Sequence, residues 1–149
     1  SAREARTAAG SVVMAPSCRA GAPAPRPVIR MPCDHLRMPP RLLSPDVTTA
    51  SLTHEALPAD DVLHGSPTAA VLTLDALPTC EVGLWEMTRG SARDTEVDEV
   101  FVVVSGRGTV TFADGERLDL APGVAVRLRA GERTEWTITE TLRKVYVAR

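Results

Sequence analysis

Four carboxylates, Asp94, Glu96, Asp98 and Glu99, lie within six positions of one another. Clustered side-chain oxygens are what hard cations such as calcium, magnesium or manganese take as ligands. Side chains on a strand alternate between its two faces. If Glu99 points inward with Phe101 and Val103, Asp98 points outward, and so do Glu96 and Asp94 if the strand runs back that far. The cluster is therefore expected to be a solvated acidic face, with no metal bound. The softer ligands are no better placed. The histidines are His35, His54 and His64, all upstream of the acidic cluster, and Cys18, Cys33 and Cys80 are odd in number and form no CxxC pair. Neither a zinc knuckle nor a disulfide framework is indicated, and Cys80 reads as a reduced, half-buried filler. Further on, Leu142, Lys144 and Tyr146 alternate onto one strand face. A carboxylate in an apolar barrel has its pKa raised by burial or lowered by a nearby lysine, and either shift prepares a general acid or base. The same Glu and Lys can equally form a structural ion pair.

The elements that must position these groups are short strands. Strand-like runs cover 70–75, 81–88, 99–104, 108–112, 117–120, 124–128, 134–139 and 142–147, separated by turn residues, as in an all-β sandwich or barrel. Asp114-Gly115 tolerates the positive φ angles of a tight hairpin and so pairs its flanking runs antiparallel. Ala121-Pro122-Gly123 and Arg129-Ala130-Gly131 form the next two corners. Leu118 and Leu120 share a face, as do Val124, Val126 and Leu128. The run from Val100 to Val104 is apolar on both faces, so both must be covered. One face lines the barrel. The other needs the N-terminal arm or a second subunit, and a homodimer is expected.

The chain of 149 residues has room for one ordinary domain. Residues 1–41 are rich in Ala, Pro, Arg and Ser and are expected to be disordered, either as an extension upstream of a start at Met38 or Met31 or, less simply, as a targeting leader. Residues 42–67 read as an arm that packs against the barrel at 68–149. The formal net charge of −2 conceals an asymmetry. Seven arginines against Glu4 and Asp34 make residues 1–41 basic, and the remainder holds ten basic and seventeen acidic residues. An acidic folded part argues against nucleic acid as a partner. No apolar run is long enough to span a bilayer, so a cytoplasmic protein without a membrane partner is expected.

Glu99-Val-Phe-Val-Val-Val-Ser-Gly106 is a glutamate followed by six residues and a glycine, and a second element runs from Gly123 to Gly131. This spacing resembles the two motifs of the cupin superfamily. Gly83-Leu-Trp-Glu86, Ala121-Pro-Gly123, Ala130-Gly131, Trp136 and Arg143-Lys-Val-Tyr146 narrow the resemblance to the subgroup named after (S)-ureidoglycine aminohydrolase. The resemblance covers about half the chain and implies a small antiparallel barrel of the double-stranded β-helix, jelly-roll type. It also implies metal-binding histidines at positions that here read Arg93, Thr95 and Thr134, so no metal or other cofactor is expected. Trp85, Glu99, Trp136, Lys144 and Tyr146 match positions that face the cavity in the family. Glu99, Lys144 and Tyr146 are then the candidate acid–base groups, and Arg93 and Thr134 could approach an anionic ligand. Three readings stand: a metal-free barrel binding a small polar or anionic molecule, a small-molecule enzyme of aminohydrolase or isomerase type using Glu99, and a homodimeric interaction module whose barrel is simply filled.

Overall fold

A computed structural model of the protein describes residues 40–149, which form nine strands and no helix. The expectation of disorder over 1–41 falls almost wholly outside the described residues. The arm contributes β1 (Glu55–Ala56) and β2 (Val62–His64). The barrel follows as β3 (Thr68–Leu77), β4 (Cys80–Met87), β5 (Gly90–Thr95), β6 (Glu99–Phe112), β7 (Arg117–Leu120), β8 (Ala125–Leu128) and β9 (Arg133–Ala148). Every pairing is antiparallel.

Two long strands organise the barrel. β9 pairs along its length with β6, and its other edge takes β5 over 133–138 and β4 over 142–148. β6 offers its second edge to β8 near Glu99 and to β7 near Val110. Each long strand therefore belongs to both halves of the jelly roll and must bend between them. In β6 the bend falls at Val103–Gly108, where the register against β9 shifts three times. Gly106 sits there with φ +84°, a conformation that side chains beyond glycine adopt only under strain. The expected runs 99–104 and 108–112 are thus two halves of one bent strand, as are 134–139 and 142–147.

Strand β5 was not expected, since Gly-Ser-Ala-Arg-Asp-Thr lacks an apolar alternation. It also corrects the reading of the acidic cluster. Ala92, Asp94 and Glu96 are buried, while Arg93 and Thr95 are exposed. Residues 96–98 interrupt the strand and reset the alternation, so Glu99 is buried as well. Asp94 and Glu96 therefore do not belong to a solvated acidic face.

The arm is strapped to the outer face of β4 and β9 by a polar chain. His54 Nε2 lies 2.9 Å from Glu86 Oε1, Arg143 Nε donates to Glu86 Oε2 at 2.6 Å, and Arg143 NH1 donates to the Val47 carbonyl at 3.0 Å. Burial pushes the Glu86 carboxyl up, but the bonds from Arg143 and His54 outweigh it and hold the group below its ordinary value. A carboxylate depressed in the folded state contributes stability above its unfolded pKa and loses it as pH falls through the folded value. Backbone amides of residues 40–57 should therefore lose protection against deuterium exchange, taken relative to each amide's intrinsic rate at the same pH, below about pH 4, and Arg143→Ala should produce the same loss at pH 7. Unchanged protection in both cases would show that the strap is not what holds the arm.

Candidate functional site

The interior is built around a lysine. Lys144 is 1% exposed and donates to Glu99 Oε1, itself on a side chain 2% exposed. Three rings surround the ammonium, with centroids at 4.3 Å for Phe101, 4.9 Å for Trp85 and 5.0 Å for Trp136. The rings also pack on one another, Trp85 to Trp136 at 5.4 Å and Phe101 to Trp136 at 5.7 Å. Each ring presents a negative face to the cation, so the cage offsets part of the cost of removing it from water. Burial is the main influence on Glu99 and raises its pKa, with Lys144 opposing and Glu96 adding to the rise.

A second polar cluster adjoins the first through Trp136. Glu96 Oε1 accepts from Thr134 Oγ1 at 2.5 Å and from Trp136 Nε1 at 2.9 Å. Tyr146 donates to Glu81 Oε1 at 2.7 Å, and burial followed by that bond raises its pKa well above the ordinary phenol value. Of the residues singled out in the sequence, Trp85, Glu99, Trp136 and Lys144 come together in one contact set. Tyr146 is buried on the same strand face but bonded to Glu81, and Thr134 belongs to the Glu96 cluster. Arg93 is exposed and lines, together with Asp94, Phe112, Arg133 and Thr134, a groove of about 590 Å³ that does not include the caged lysine, so Arg93 and Thr134 border one groove. Glu96 and the cage ring Phe101 went unassigned in the sequence. An inward Glu96 could have been found only by recognising β5 and the break after it.

Three clefts among the described residues stop short of the lysine. Lys144 lines none of the three, and Glu99 borders only an outer groove of about 200 Å³, beside Val100, Arg127 and Val147. The largest, about 660 Å³, opens between the β6–β7 turn and the β8–β9 connection. Phe112, Leu118 and Val126, on the inner face by their register with Thr134, Val110 and Phe101, line it with Arg127, Arg129 and Arg133 at its edge. None of the three arginines forms an ion pair among the described residues.

Residues 74–146 match the family model of the EutQ-like cupin domain. The barrel has the cupin fold. Among solved structures, it is similar to the EutQ protein of Clostridium difficile, with 20% identity and a TM-score of 0.53 over 68% of this chain and 81% of that one. It is also similar to a protein of unknown function of the DUF861 family from Pseudomonas syringae pv. tomato, with 23% identity and a TM-score of 0.60 over 68% of this chain. The match takes in 45% of the Pseudomonas protein, so the chain spans less than half of it. These likenesses are ones of fold. No curated protein sequence matches the chain. The residues of this barrel do not fit the metal that histidine-bearing cupins hold. Glu99 is taken by Lys144, and the Glu96 oxygen is shared by Thr134 and Trp136. Among the described residues no three His, Cys, Asp or Glu side chains converge on one point.

Proposed function

We propose that this cupin is a metal-free binding domain for a small anion with an apolar body, seated at the mouth of the barrel. The observation that carries the reading is the contrast between the two ends of the interior. Around Lys144 every position is taken by the protein's own side chains, with a tethered cation already inside the aromatic cage. At the mouth, an apolar floor of Phe112, Leu118 and Val126 lies beneath arginines that form no ion pair among the described residues. A cavity of that size suits a drug-sized molecule, in which a few polar groups orient an otherwise apolar ligand. Two of the acids at the rim have local employment: Glu132 Oε2 accepts from the Arg129 amide at 2.8 Å and Asp114 Oδ1 from the Glu116 amide at 2.9 Å. Arg129 and Arg133 are the groups we assign to the anion, because a guanidinium presents paired donors that match a carboxylate. In this reading Glu99 and Lys144 form a structural core, and the protein is a cytoplasmic sensor or carrier. No helix of the described residues is long and apolar enough to cross a membrane.

Calorimetric titration with hexanoate, phenylacetate and their amides tests the proposal. The carboxylates should bind and the amides should not, and Arg129→Ala and Arg133→Ala should each weaken binding about tenfold or more. Failure of every carboxylate, or binding indifferent to both substitutions, would overturn it.

A further inference from the structure

Two grooves meet at one arginine. The mouth and the groove of about 590 Å³ beside it have Phe112, Ala113 and Arg133 in common, and the Ala113 amide donates to the Arg133 carbonyl at 3.2 Å along the ridge between them. The second groove carries both signs of charge. Along one row stand Asp61, whose carbonyl accepts from the Arg93 amide at 2.9 Å, then Arg93, then Glu135 in direct register with it. The next register pair is Thr95 with Arg133. Arg93 and Arg133 therefore hold one diagonal of a square, about 7–8 Å apart, with Glu135 and Thr95 at the other corners. Arg93, Arg133 and Glu135 are exposed, and none of them forms an ion pair among the described residues. Asp94, a further acid of the lining, accepts from the Thr95 amide through Oδ1 at 2.7 Å.

We infer that the ligand of the mouth is a dipeptide with an apolar C-terminal side chain, an inference that rests on the mouth being a carboxylate site. Its carboxylate lies on Arg129 and Arg133, and its terminal ammonium crosses the ridge to Glu135. Charge selects a ligand of both signs. In the second groove a lone anion would meet Asp61 and Glu135, and a lone cation would meet two guanidiniums, whereas a zwitterion complements both. Distance selects the separation of its ends. Arg133 and Glu135 are two residues apart on one face of β9, about 6.8 Å along the strand. Two residues of extended chain span about 7 Å at most. A free amino acid, with ammonium and carboxylate on one carbon, reaches one of the two anchors but not both, and a third residue overshoots by about 3 Å. The floor of Phe112, Leu118 and Val126 then takes the C-terminal side chain. Arg93, on the diagonal, is left to donate to the peptide carbonyl between the two ends.

Calorimetric titration of the full chain with alanyl-leucine and with 4-methylpentanoate tests it. The second compound keeps the apolar end and the carboxylate and lacks both the peptide group and the ammonium. The dipeptide should bind about tenfold or more tighter, and N-acetylation of the dipeptide or Glu135→Gln should each remove most of that ratio. Glu135 is exposed, so the substitution leaves the packing of the barrel alone. A ratio near one in the wild type, or a ratio that survives Glu135→Gln, would overturn the inference. Binding of 4-methylpentanoate that still depends on Arg129 would in that case leave the carboxylate site standing. Failure of both compounds to bind would remove the carboxylate site and the dipeptide with it.

Discussion

Replacing Lys144 with methionine should destabilise the fold by about 3–5 kcal/mol at pH 7, because it leaves the Glu99 carboxylate buried without its counter-charge. Small domains have about 5–15 kcal/mol in total, so the loss would be plain in urea denaturation. The pH dependence makes the expectation specific. Burial holds the Glu99 pKa above its unfolded value, so the folded state binds the proton more tightly and stability falls as pH rises between the two values. Lys144 limits that fall in the wild type. Without it the fall is steeper, so the gap between variant and wild type should be widest near neutrality and should narrow below about pH 4.3, where Glu99 is protonated in both states. Removing both charges, in Lys144→Met/Glu99→Leu, should restore most of the loss, since a well-packed apolar pair commonly matches or exceeds a buried ion pair. A gap that is equally wide at both pH values would mean that the methionine disturbs the aromatic cage rather than the charge balance.

Gly106→Ala should be comparably severe, at least about 3 kcal/mol. An added Cβ would stand 2.1 Å from the Thr141 carbonyl oxygen and 2.5 Å from Leu142 Cα, both backbone atoms of β9 that cannot swing aside. The φ of +84° adds its own cost. Gly115→Ala is the internal control, since Gly115 has φ +92° but open space around the new methyl. That variant should lose only about 1 kcal/mol. Equal losses from the two substitutions in chemical denaturation would place the whole effect in the dihedral angle and none in the contact between β6 and β9.

The contrast also shows what could be read from the sequence. Corners were legible because they rest on local chemistry. Gly115, Gly123 and Gly131 all have positive φ, and β7 spans the expected Arg117–Leu120. Alternation put Phe101 with Val103 and Lys144 with Tyr146 on shared strand faces, and all four are buried. Strand β5 was hidden because its partner β9 lies some forty residues away and supplies the pairing that Gly-Ser-Ala-Arg-Asp-Thr does not advertise. The inward turn of Asp94 and Glu96 was hidden for a related reason. Counting back by twos from Glu99 is valid only while the strand continues, and the irregular backbone at 96–98 shifts the phase by one. The register changes in β6 likewise conceal one strand as two. At the site, Trp85, Glu99, Trp136 and Lys144 could be named, but neither the third cage ring Phe101 nor the filling of the interior could, because both depend on how side chains from β4, β6 and β9 meet.

The placement of β9 bears on how the chain reaches this structure. The last strand in sequence occupies the centre of the sheet, with β4 and β5 on one edge and β6 on the other. Its contacts with β4 close loops of about sixty residues, and such distant pairings dominate the barrel. As the chain emerges from a ribosome, the β3–β4 hairpin can close and β1, β2, β7 and β8 can find β3, β5 and β6. The pairings that join β4, β5 and β6 to one another must wait for Arg133–Ala148, and until then the faces destined for the interior, Trp85, Phe101 and Val110 among them, stand open to other nascent chains. Synthesis of this protein is therefore the period in which it most needs a chaperone, and a chain truncated before β9 would lack the central strand that the rest of the barrel is built against.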